Sequence, residues 1–140
     1  MARAFSEVLF PDVELVLAFH EEVLHAHGGA AGLRDLGLLE SATASPQSSF
    51  AGAPLYDSLA KMAGALAFAL AKNHPFVDGN KRVAFLAAAT FLAMNGSPIP
   101  ESSDWEVLIL SVADSTSGRE VLIAAFARAM GGDVAVDADA

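Results

Sequence analysis

The spacing of apolar residues divides the chain into helices separated by short polar breaks. Val13, Val16, Leu17, Val23 and Leu24 share one helical face; Pro11 suits a first helical turn, and Gly28-Gly29 stops the helix. Ala30 to Asp35 reads as a loop, and Leu36 to Ala44 as a short second helix. The stretch from Ser45 to Gly52 is polar and carries proline and glycine, as a surface flap would. Pro54 is predicted to open a third helix running to about Lys72. That helix should end near Asn73-His74, because Pro75 disfavours helical backbone at the residue before it. A fourth helix spans about Gly79 to Asn95, with Gly96 as its left-handed stop. Two more are marked by capping-box strings, Ser103-Asp104-Trp105-Glu106 and Ser117-Gly118-Arg119-Glu120. Strand signals are scarce, so the chain is expected to be all-α.

Helices 54–72 and 79–95 are apolar nearly all round, which places them at the centre with the others packed about them. Phe68, Phe85 and Phe91 have core spacing, and Trp105 should pack a peripheral helix onto that centre. The most apolar runs, Ala63 to Ala71 and Val83 to Met94, are about a dozen residues or fewer. A membrane-spanning helix needs roughly 20.

Composition narrows the picture further. The 140 residues suit a single domain over 1–130, followed by a small, acidic and mobile tail over 131–140 beyond a double glycine. With no cysteine there is neither a disulfide framework nor a thiolate metal site, which fits a cytoplasmic protein. A net charge of -9 argues against broad nucleic-acid binding and fits a basic protein partner better.

Candidate chemistry collects in the loop between the two central helices, Asn73-His74-Pro75-Phe76-Val77-Asp78-Gly79-Asn80-Lys81-Arg82. Cations in the first turn of a helix oppose its positive end, at a cost of a few tenths to ~1 kcal/mol each. Lys81 and Arg82 sit there together, and a bound anion resolves the conflict. Phosphate suits the place, because Gly79 admits a close approach and arginine grips oxygens in pairs. Asp78 adds one carboxylate at the rim, the usual protein share of a Mg²⁺ site completed by nucleotide phosphates. His74 can reach the same point, and an imidazole can take a proton from a hydroxyl nucleophile. Phe76 should point inward as an anchor. Taken singly, these residues read as a loop histidine, a turn and a solvated pair; mounted between two buried helices, they read as a site. His20, His25 and His27 lack a carboxylate-backed ligand pattern and read as surface or partly buried side chains.

The string from His74 to Arg82 resembles the signature of the Fic/Doc family, and of its Doc branch in particular. The likeness extends over roughly Pro11 to Met130 and takes in Gly32-Leu33-Arg34-Asp35 and Gly37-Leu38-Leu39-Glu40-Ser41. It implies the all-α Fic fold, with a central antiparallel helix pair, surrounding helices and a flap near 45–52 that positions a target segment. It implies His74 as general base and Asp78 as Mg²⁺ ligand. Gly79, Asn80, Lys81 and Arg82 would grip the phosphates of ATP, with Lys81 also in a catalytic role and Lys72 as a further basic residue. The nucleotidyl-transferring Fic pattern has glycine where Lys81 stands and arginine where Phe85 stands. The resemblance therefore implies γ-phosphoryl transfer to a threonine of elongation factor Tu by the toxin of a toxin–antitoxin pair, held in check by a small antitoxin. An AMP transferase and an idle binding protein are the alternatives.

Overall fold

The computed structural model describes residues 2–98, 105, 108, 109 and 118–139. Its helices are α1 (Val13–His27), α2 (Leu36–Ala44), α3 (Leu59–Asn73), α4 (Asn80–Met94) and α5 (Gly118–Ala129). The all-α expectation holds, with two small strand pairs at the periphery. Arg3–Ala4 (β1) pairs in parallel with Val136–Asp137 (β4), and Ser49–Phe50 (β2) pairs antiparallel with Ala53–Pro54 (β3).

Helix α3 is the axis of the molecule. Leu59, Ala60, Met62 through Ala67 and Leu70 are all buried, because α4, α5 and α2 pack around it. Small residues make that crowding possible. A Cβ built on Gly64 would lie 2.5 Å from Ile123 Cγ1 and 2.9 Å from Ile123 N, so α5 approaches to backbone contact. Helix α4 contributes Val83, Ala84, Phe91 and Leu92 to the same core. Trp105 is buried and stacks on Phe126 (4.5 Å between centroids) and Phe85 (5.5 Å), as its sequence position suggested.

Two sequence expectations are corrected. Helix α1 begins at Val13 with Asp12 as its cap, the carboxylate accepting from the Leu15 amide at 2.8 Å, so Pro11 precedes the helix. Helix α3 begins at Leu59, not Pro54. Pro54 is taken into the β2–β3 hairpin, and Ser58 caps the helix through the Lys61 amide. The flap is thus this hairpin, turned by Ala51 and Gly52, with Phe50 82% exposed. In the tail, residues 133–137 make contacts with the body. Val136 is buried, Asp133 accepts from the Ala60 amide, and the Val134 carbonyl accepts from the Leu59 amide. Its two valines have apolar surface to bury, and the start of α3 has donors to satisfy. The string 103–106 lies, apart from Trp105, outside the described residues, as does Ser117 ahead of α5.

Candidate active site

The loop joining α3 to α4 is short because both its ends turn left-handed. His74 caps α3 at φ 53 and ψ 53, and Gly79 precedes α4 at φ 82. A left-handed histidine is strained, by roughly 1–2 kcal/mol, and the surroundings hold it there. Arg34 donates from Nε to the His74 carbonyl and from Nη2 to the Asn73 carbonyl, both at 2.7 Å. The amides of Arg34 and Asp35 both donate to the Pro75 carbonyl, and the Val77 amide donates to Gly32. The loop after α1 therefore runs beside the motif like a short second strand.

Inside the loop, Asn80 closes a ring. Its Oδ1 accepts from the Phe76 amide and its Nδ2 donates to the Phe76 carbonyl, each at 2.9 Å, and the side chain is buried. Asn80 thus ties the loop with one side-chain acceptor and one of its two amide N–H donors. Phe76 is 1% exposed and is the anchor its spacing predicted.

Asp78 is exposed, and each of its oxygens accepts one backbone bond. Ala30 donates to Oδ2 at 3.2 Å and Gly79 to Oδ1 at 2.8 Å. These amides, Ala30 first and then Gly79, hold its carboxyl below the ordinary carboxylate value, with Lys81 and His20 adding to the effect. The approach is close: a Cβ on Gly29 would fall 2.8 Å from Asp78 Oδ2. An ionised carboxylate accepting two bonds retains lone pairs for a cation. Among the described residues no group of three or more His, Cys, Asp or Glu could hold a metal alone. A single carboxylate instead fits Mg²⁺ that arrives with nucleotide phosphates.

Helix α4 starts without a side-chain cap and without an acidic residue in its first turn. The caps of α1, α2 and α3 are Asp12, Asp35 and Ser58. Lys81 and Arg82 follow at once, both half-buried, and Arg82 Nη1 contacts His27 Nδ1. Lys72 is exposed in the last turn of α3, its ammonium 5.4 Å from the Phe68 centroid one turn back. His74, Asp78 and Gly79 thus lie in the loop, Lys81 and Arg82 in the first turn of α4, and Lys72 in the last turn of α3. The structure also adds residues the spacing did not single out for the site: His20, His27, Gly29, Ala30 and Arg34. The one local signal for His20 was a histidine on the otherwise apolar stripe of Val16 and Val23.

Comparison with known proteins places the chain in a family. The chain is 47% identical over 79 residues to a toxin Doc of Mycolicibacterium smegmatis, covering 56% of this chain and 61% of that protein. The chain thus spans less than two thirds of that relative's length. It is 31% identical over 112 residues to the protein kinase doc of Escherichia phage P1, covering 73% of this chain and 88% of that one. The model of the Fic/DOC family matches residues 10–92, which contain α1 through most of α4 and the whole motif loop. With that match spanning more than half its length, the chain belongs to the Fic/DOC family.

Proposed function

We propose that this protein is a Doc-type toxin that transfers the γ-phosphoryl group of ATP to a hydroxyl of a protein target, elongation factor Tu, and so arrests translation. The observation that carries the reading is the start of α4. A buried helix presents its positive end, with no side-chain cap, directly after a loop that carries a held carboxylate and a histidine fixed in a strained backbone. An anion with a bound divalent cation suits that arrangement better than any neutral ligand. The names of the two relatives, a toxin and a protein kinase, support the choice of reaction.

In this reading His74 takes the proton of the target hydroxyl as its oxygen bonds to the γ-phosphorus. The bond from that phosphorus to the bridging oxygen breaks, and ADP leaves. Lys81 and Arg82 bear on the phosphate oxygens, and Gly79 lets them approach the backbone. Asp78 would hold Mg²⁺, which would supply charge neutralisation at the phosphates. Asn80 keeps the loop closed while this happens. The exposed β2–β3 hairpin, with Phe50 at its turn, presents an edge for a target segment. A small antitoxin with a basic or amphipathic binding segment would restrain the activity, in keeping with the net charge of -9.

Labelled ATP tests the proposal. Incubation with elongation factor Tu should transfer label from the γ-position and none from the α-position, and intact mass should rise by one phosphate. Label from the α-position would make the protein an AMP transferase. No modification, together with harmless expression in bacteria, would favour an idle binding protein.

A further inference from the structure

His20 is a buried imidazole for which the chemistry above has no task. It lies on the apolar stripe of α1 between Val16 and Val23 and is 6% exposed. Its ring stacks on Phe76, with centroids 3.9 Å and planes 8° apart. Its Nε2 is 2.9 Å from the main-chain oxygen of Asp78. A carbonyl oxygen only accepts, so Nε2 carries a proton and donates it.

That oxygen belongs to the peptide unit between Asp78 and Gly79. The N–H of the same unit donates to Asp78 Oδ1 at 2.8 Å. The two groups point in opposite directions across one rigid plane, so fixing one fixes the other. Turning the plane over would break both bonds. Glycine at 79 offers the least steric resistance to such a turnover, since its φ of 82° is one of many values open to it. A bond from outside the loop is what keeps the plane in place. The imidazole also floors the turn: a Cβ on Gly79 would lie 3.8 Å from His20 Cδ2 and 3.9 Å from Nε2.

We infer that His20 is a positioning residue, which through its bond to the Asp78 carbonyl and its stack on Phe76 fixes the Asp78–Gly79 peptide plane and with it the aim of the Asp78 carboxylate toward Mg²⁺–nucleotide. Its consequence rests on the phosphotransfer reading; its geometry does not. A histidine that merely filled space would be replaceable by phenylalanine without effect on the loop.

Two variants separate these roles. His20→Phe keeps an aromatic ring on Phe76 and removes the donor, whereas His20→Gln removes the ring and sets an amide donor near the position of Nε2. The primary readout is hydrogen exchange of the Gly79 amide, followed by NMR in the nucleotide-free protein. The second is the Mg²⁺ concentration that half-saturates transfer at high ATP. In His20→Phe the Gly79 amide should exchange faster and the Mg²⁺ requirement should rise about tenfold, the scale on which partners of metal ligands act. Turnover at saturating Mg²⁺ should change much less. His20→Gln should recover most of the exchange protection and of the Mg²⁺ affinity. Parent-like exchange and Mg²⁺ requirement in His20→Phe would overturn the inference, as would a His20→Gln no better than His20→Phe. If His20→Phe does not fold, His20→Gln alone decides, with fast Gly79 exchange counting against the role. Should the parent transfer no phosphoryl group, the functional reading fails while the exchange comparison still judges His20.

Discussion

The two ends of the α3–α4 pair are built to opposite specifications. At the far end the start of α3 is filled: Ser58 accepts from Lys61, Asp133 from Ala60, and the Val134 carbonyl from Leu59. The end of α4 beside it is equally occupied. Asn95 donates to the Leu9 and Phe91 carbonyls and accepts from the Leu9 amide, and Gly96 and Ser97 donate to Ala93 and Leu92. At the site end, Arg34 takes the last carbonyls of α3, but no side chain caps α4. Three helix ends are thus closed by the chain's own groups, and the fourth carries two cations in its first turn. One end of the pair holds the fold together, and the other is the end at which the proposed function places an outside anion.

That division can be broken from either side. The largest effect should come from His74→Ala, which removes a proton acceptor while leaving the turn intact. Phosphotransfer should fall by about 10²–10⁴-fold, with ATP affinity measured by calorimetry unchanged. Full toxicity of this variant in bacteria would refute the division. At the far end, Asn95→Ala should do the reverse. It strands the buried Phe91 carbonyl and takes away the partner of both part-buried main-chain groups of Leu9, for a loss of about 2 kcal/mol and a melting point lower by roughly 5–10 °C. The turnover of the folded protein should stay at the parent value, and a large loss there would show that the ends are coupled.

The smallest effect concerns acid. The carboxyl of Asp78 is held below its ordinary value in the folded protein. The stability it contributes is present above the unfolded-state value, near pH 4, and is lost as pH falls through the lower folded value. Unfolding curves of the parent and Asp78→Asn should therefore differ above about pH 4 and converge below it. Screening keeps the difference small, since the group is exposed. Divergence that grows toward acid would mean that the carboxyl is not held by the Ala30 and Gly79 amides.

Much of the site end was legible in sequence because its signals are local. Two nearly all-apolar helices, a proline that ends one of them and a glycine before the other fix where the loop must fall. The far end was less legible because its partners are remote in the chain. Nothing near Pro54 shows that it will pair with Ser49, and nothing in the small acidic tail shows that Asp133 will meet Ala60. The same limit explains His20 and Asn80. Spacing shows that a polar group faces the core, but not which carbonyl it will meet there. Spacing likewise placed Asn80 at the start of α4 without revealing that its side chain would bond both main-chain groups of Phe76.

His74 stands at a left-handed position that only glycine adopts without strain. Selection for stability alone would put glycine there and gain on the order of 1 kcal/mol. The imidazole and the backbone thus make incompatible demands on one residue. Arg34, Asp35 and the loop they belong to supply the compromise, so α1 and α2 are joined by a segment whose length and composition answer to a histidine some forty residues away.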